Sequence, residues 1–283
     1  MKTALVLEGG AMRGIYTCGV LDAFLDKNIE FDYVIGVSAG AALGSSYVSK
    51  QRGRNLEIYE RYVNDKRYMS YHNLIKEGSL FGLKFVYEDI PKIHVPFDFE
   101  AYYNSPVKFY SVVTNIETGK AEYMNKTRED ENLDILKATC ALPMFSPNIK
   151  IGDNYYLDGG IADPIPFEKA FKDGYDKVVV ILTQHKTYRK NKQSYLNLIK
   201  LKYRKYPEIF KIMENRHNIY NSQLDKLEEL EKDGKAFIIR PENPVEFKRI
   251  ETDLVKLRKL YHIGEYDGFT NEKRIKKFIE QNV

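Results

Sequence analysis

Val178-Val179-Val180-Ile181-Leu182 is an apolar run without polar alternation. A strand with one wet face alternates, whereas a strand apolar at every position is covered on both faces, as in the parallel sheets of α/β proteins. The N-terminal region predicts the same arrangement. Residues 2–8 read as a short buried strand. The turn Gly9-Gly10-Ala11-Met12-Arg13-Gly14 follows, then a helix over 15–27 with Val20, Leu21, Phe24 and Leu25 on one face. Residues 31–37 predict a second strand, and 39–49 a helix after a sharp turn. Strand, turn and helix repeated in this order imply parallel strands joined by right-handed crossovers. Further strands are expected at 107–114, 121–124, 177–182 and 236–239. Further helices are expected at 54–65, 131–140, 166–172, 208–232 and 252–260, with Thr270 capping a last one over 271–281. Residues 66–105 are Tyr-rich and yield no clear period.

The chain has 283 residues, 43% apolar and 30% charged, which excludes wholesale disorder. No apolar run nears the ~20 residues of a membrane span. Ala4-Leu5-Val6-Leu7 is too short for the core of a signal peptide. Cys18 and Cys140 alone supply neither a disulfide framework nor a thiolate zinc site. A cytoplasmic location is therefore expected. The formal net charge of +4 is unevenly distributed. Residues 184–216 carry ten Lys or Arg against two Glu, a local +8, so the remainder carries −4.

Three short motifs carry candidate chemistry. Gly36-Val37-Ser38-Ala39-Gly40 fits G-x-S-x-G between a predicted strand and a predicted helix. That context suits a nucleophile elbow, with the serine in a strained turn and helix N–H groups nearby for developing negative charge. The loop Gly9–Gly14 also follows a strand and suits either a phosphate cradle or an oxyanion hole. Ala11 breaks the dinucleotide pattern G-x-G-x-x-G, and no Gly-Lys-Ser/Thr completes a Walker motif. Asp158-Gly159-Gly160 follows Tyr155-Tyr156-Leu157. It reads either as an ordinary Asp-Gly turn or as a carboxylate at a strand end that takes a serine proton directly.

Leu7-Glu8-Gly9-Gly10-Ala11-Met12-Arg13-Gly14, Gly36–Gly40 and Asp158-Gly159-Gly160, in this order, resemble the signature blocks of the patatin-like phospholipases, most closely the bacterial members. The resemblance covers roughly residues 3–183. It implies a three-layer α/β/α sandwich with a mostly parallel central sheet. It also implies a Ser–Asp dyad, with Ser38 as nucleophile and Asp158 as base, and an oxyanion hole from the N–H groups of Gly9, Gly10, Ala11 and Met12. Arg13 fills the family's basic position in the loop, and Gly14, Gly36, Gly40, Gly159 and Gly160 are its motif glycines. Such enzymes cleave acyl esters of lipids through an acyl-enzyme and use no metal or other cofactor. One departure is Ala11, where the family usually has glycine. Alanine keeps the N–H but disfavours positive φ.

Other readings stay open at this point: a non-catalytic lipid-binding protein, a nucleotide-binding protein, and a Ser–His–Asp esterase using His185, His217 or His262. Arg13 reads as steering a headgroup or as pairing with a carboxylate to hold its loop. Residues 186–216 interleave basic with aromatic and aliphatic side chains, among them Tyr195, Leu198, Leu201 and Tyr203. They predict a peripheral membrane contact or a helical excursion packed over the active-site face, and no nucleic-acid module accompanies them. One domain over 1–283 is expected, with a mostly helical excursion at 184–235 and completion of the fold by 236–283.

Overall fold

The computed structural model describes residues 1–244 and 246–281. In chain order the elements are β1 (Thr3–Leu7), α1 (Ile15–Asp26), β2 (Tyr33–Val37), α2 (Ala39–Val48), α3 (Arg54–Tyr62), α4 (Tyr71–Glu77), a π-helical segment (Phe85–His94) and α5 (Phe99–Asn104). Then come β3 (Lys108–Asn115), β4 (Ala121–Asn125), α6 (Asp134–Thr139), β5 (Ile149–Ile151), β6 (Asn154–Asp158), α7 (Phe167–Lys172) and β7 (Lys177–Ile181). The chain closes with α8 (Leu196–Lys202), α9 (Pro207–Lys232), β8 (Ala236–Ile239), α10 (Leu254–Thr270) and α11 (Glu272–Glu280).

The strands form one eight-stranded sheet. The β1/β2, β1/β7, β2/β3 and β7/β8 pairs are parallel, while β3/β4, β3/β6 and β5/β6 are antiparallel. Period-two alternation divides β1 between the two faces. Leu5 and Leu7 pack with Phe24 of α1 and Leu260 of α10. Ala4 and Val6 pack with Phe167 of α7 and Leu224 of α9. The sheet is thus covered by helices on both sides, as the apolar β7 requires.

Helix α1 is buried along nearly its whole circumference, not only on the face expected, because α10 crosses its outer side. Glycines permit the crossing. A Cβ at Gly19 would lie 2.1 Å from the Tyr261 carbonyl oxygen, and one at Gly264 would lie 2.1 Å from that of Tyr16.

Several expectations are corrected here. Thr270 ends α10 instead of capping the last helix; Asn271 holds that position and α10 runs well past residue 260. Residues 66–105 form α4, the π-helical segment and α5, sealed by Tyr62, Tyr68, Phe85, Ile90 and Val95. Pro91 lies within the π-helical segment, which helps explain the missing regular period. The β5/β6 hairpin turns at Gly152, whose φ is 59°. Among the described residues, no helix is long and apolar enough to cross a membrane.

Candidate active site

The register of β3 brings Ser38 and Asp158 together. One edge of β3 is occupied by β4, which pairs with residues 110–114. The other edge receives β2 up to the rung Val37↔Val112. It then receives β6, running the opposite way, from the rung Val113↔Asp158. The C-terminal ends of β2 and β6 therefore meet on adjacent rungs, and the residues after β2 turn away beside the carboxylate of Asp158.

Ser38 has φ 53° and ψ −127°, a strained conformation for a residue with a side chain. Its N–H donates to Thr139 Oγ1 at 2.9 Å, and the Thr139 hydroxyl donates to the Val112 carbonyl at 2.6 Å. The last residue of α6 thus braces the elbow. A Cβ at Gly40 would lie 2.5 Å from the Leu7 carbonyl oxygen, so glycine lets α2 start against the end of β1.

The loop after β1 lies directly against the elbow: a Cβ on Gly9 would be 2.9 Å from the Ser38 Cβ. The N–H groups of Gly9, Gly10 and Ala11 have no hydrogen-bond partner among the described residues. Met12 differs. Its N–H donates to the Arg249 carbonyl at 3.3 Å, which corrects its expected place among the free donors. Ala11 has φ 50°, so alanine occupies the left-handed region that glycine fills more cheaply, and the loop keeps its course. Below the loop, buried Glu8 accepts from the Tyr220 hydroxyl at 2.7 Å and from the Thr183 N–H at 2.6 Å.

Asp158 is only 2% exposed. Its Oδ1 accepts from the Gly160 N–H at 2.8 Å, while Oδ2 is buried with no hydrogen-bond partner. Burial raises its pKa above the ordinary carboxylate value, opposed by the Ser38 side chain, the Arg216 charge, the Gly160 N–H and the Arg249 charge. Arg216 reaches the motif from α9, its Nε donating to the Gly160 carbonyl. The result is a hydroxyl in a strained turn, a buried carboxylate beside it, and a row of unbonded N–H groups alongside.

The patatin-like phospholipase family model matches residues 5–171. The chain belongs to this family. A second model, a domain of unknown function named DUF6363, matches residues 206–280. The uncharacterized protein YjjU of Escherichia coli is 30% identical over 196 residues, 64% of this chain and 52% of its own length. The chain thus spans about half of that relative. The probable lipid hydrolase 463L of Invertebrate iridescent virus 6 is 26% identical over 268 residues, 84% of this chain and 89% of its own. Lysophospholipase nte1 of Aspergillus niger is 25% identical over 191 residues, 64% of this chain but only 12% of its own.

In this member of the patatin-like family two cavities meet at Ser38 and Ala11, which line both. One has a volume of about 170 Å³ and apolar walls that include Leu43, Tyr59, Tyr87, Ile90 and Leu136. Much of it comes from the segment between α3 and β3 that lacked a readable period. Cys140 lines it near Ser38 and Asp158, and burial pushes its thiol pKa up to about 12. The other cavity, polar and about 340 Å³, is lined by Arg13, Lys190, Arg216 and Arg249 among others. Arg13 forms no ion pair among the described residues and lines this polar cavity, so the loop-holding carboxylate pairing is not formed. No histidine lines either cavity. His185 contacts Thr187, His262 contacts Glu265, and His217 Nδ1 is buried without a partner.

Sequence reasoning missed Thr139, Glu8, Tyr220 and Arg249. Glu8 left one sign, a charge at the end of an apolar strand. Thr139 and Arg249 left none, since tertiary contact alone brings them to the loop and elbow. Arg216 was visible only as one charge among ten in residues 184–216.

Proposed function

We propose that the protein is a serine acyl hydrolase acting on lipid esters, with Ser38 as nucleophile and Asp158 as its base. The observation that carries this reading is the meeting of four features at one hydroxyl: a strained elbow, a buried half-partnered carboxylate, free N–H groups and an apolar cavity. Ser38 Oγ attacks the ester carbonyl and its proton passes to Asp158. The N–H groups of Gly9, Gly10 and Ala11 hold the oxyanion. The tetrahedral adduct collapses, the alcohol leaves with the proton from Asp158, and the acyl group stays on Oγ. Water then attacks the acyl-enzyme and gives its proton to Asp158. Oγ recovers that proton as the fatty acid departs. The raised pKa of Asp158 suits this exchange, because a base closer to neutrality both takes and returns a proton readily. The acyl chain occupies the apolar cavity.

The same reading takes residues 1–283 as one folding unit. It is supported by the pairing of β8 with β7 and by the packing of α10 on α1. It also takes α8 as a peripheral membrane contact, supported by Leu198 and Leu201, 54% and 69% exposed, beside Lys200, Lys202, Arg204 and Lys205. Vesicle co-sedimentation checks that contact: binding unchanged in a Leu198→Ser/Leu201→Ser variant removes it.

A fluorescent fluorophosphonate tests the hydrolase reading. Wild type labels, Ser38→Ala does not, and Asp158→Asn labels far more slowly. Equal labelling of wild type and Ser38→Ala, or labelling of neither, sinks the assignment.

A further inference from the structure

The polar cavity beside Ser38 carries an uncompensated charge. Its lining includes Arg13, Lys190, Lys192, Arg216 and Arg249 against Glu8 and Asp158, an excess of three positive charges. Lys192 turns outward to Glu214 at 3.5 Å. Among the described residues, the other four cations have no carboxylate at ion-pair distance. Elsewhere Arg52, Arg61, Arg67, Arg128 and Arg258 are each paired. Arg13 Nε is buried with no hydrogen-bond partner. Arg216 uses Nε on the Gly160 carbonyl, and burial lowers its pKa despite the attraction of Asp158. Lys190 Nζ sits 4.5 Å from the centroid of the Tyr220 ring. Burial and repulsion from Arg216, Arg249 and Arg13 bring its pKa down to about 7, with only Glu8 pulling the other way.

Like charges held together without a counter-ion favour an anion among them, and guanidinium groups match phosphate oxygens in geometry. A quaternary ammonium meets the reverse. It faces a net positive lining, Glu8 is already taken by Tyr220 and Thr183, and the Tyr220 ring face is covered by Lys190. Because Ser38 and Ala11 line both cavities, an ester held at Ser38 with its acyl chain on the apolar side directs its alcohol part into this one.

We propose that this cavity binds a phosphate on the alcohol part of the substrate through Arg13, Lys190, Arg216 and Arg249, so that the enzyme prefers acyl esters ending in a phosphate monoester to those ending in a quaternary ammonium. The proposal rests on the acyl-hydrolase reading. It assigns a role to the region matching DUF6363, which supplies Arg216 and Arg249.

The test compares kcat/KM on three oleoyl esters, those of glycerol 3-phosphate, glycerophosphocholine and glycerol. It uses the full chain and a Lys190→Gln/Arg249→Gln variant whose melting temperature is checked. Wild type prefers the phosphate-ended ester to the choline-ended one by about 10- to 100-fold, the scale of one charged hydrogen bond, and the variant loses most of that preference. Inorganic phosphate competes with the glycerol ester in wild type and much less in the variant. No preference in wild type overturns the proposal; if phosphate still competes, the cavity is a site for free phosphate. A preference that survives in the variant overturns the residue assignment. The wild-type preference and phosphate competition decide the matter even if the variant fails to fold. Fluorophosphonate labelling of wild type keeps these outcomes apart from failure of the hydrolase reading, in which Ser38 does not label.

Discussion

The two cavities that share Ser38 are built from different parts of the chain and by different physics. The apolar one is walled by the α3–β3 segment and α6, whose rings and aliphatic side chains bury against one another. The polar one is walled by the segment after β7, by α9 and by Arg249, whose cations repel one another across it. Apolar contact grows with each methylene added and is indifferent to pH. The cationic side responds to the charge state of one group. Under the proposed function, length and head of a substrate are therefore read by separate walls.

Four measurements break or sharpen that division. The largest effect belongs to the shared centre. Asp158→Asn is expected to lower kcat by about 10⁴-fold on every ester, whatever its chain or head, on the scale of lost triad carboxylates. Because burial disfavours the Asp158 charge, its folded pKa lies above the unfolded one, and stability is lost as pH rises from the unfolded value through the folded one. The same variant should therefore melt higher at pH 7, by about 3 °C for an effect near 1 kcal/mol. A variant that is inactive and also less stable contradicts the account of Oδ2 as an unpartnered buried charge.

The next effect separates the walls. Ala42 lines only the apolar cavity, and Ala42→Phe fills space otherwise open to the chain. Displacing about three methylenes costs about 2.4 kcal/mol, so the ratio of kcat/KM for long over short acyl esters should fall by about 50-fold. A similar fall in the phosphate-over-choline ratio would show that the cavities are one.

Third comes pH. Lys190 faces Arg13, Arg216, Arg249, Glu8 and the Tyr220 ring. With its pKa lowered to about 7, it loses its charge as pH rises past that value, whereas a phosphate monoester is already a dianion above pH ~6. Preference for the phosphate-ended ester should drop by about 10-fold between pH 6.5 and 8.5, the scale of one charge-assisted bond. A flat profile removes Lys190 from the site.

The smallest effect concerns the loop both cavities share. Ala11→Gly relieves a positive φ and should stabilise the fold by about 0.5–1 kcal/mol after the entropy of the added glycine is offset. Chemical denaturation reads this directly, and a loss of stability shows that the loop is not strained at Ala11.

What the sequence made legible follows from how local each signal is. Strands β1, β2 and β7 are short runs whose every residue is buried, so composition alone marks them. Helix α9 announces itself by Pro207 at its start and Gly234, φ 71°, just after its end. The elbow and the glycine loop are contiguous motifs and were equally readable. Other features were not local. Arg249 reaches the loop from far along the chain, and its carbonyl takes the Met12 N–H, which no spacing rule foresees. The apolar cavity depends on aromatic side chains meeting across the π-helical segment, and neither helix nor strand periodicity describes that meeting. Nor does the sequence say whether Ala11 bends into positive φ.

The shared edge of β3 has a consequence for when this chemistry can exist. Ser38 is presented by β2 and Asp158 by β6, and the two strands touch only because both dock end to end on β3. A chain emerging from synthesis carries its elbow long before its carboxylate, so under the proposed mechanism Ser38 gains its base only once β6 has paired with β3. The proposed dyad is therefore a property of the finished sheet, and no local stretch of chain carries it alone.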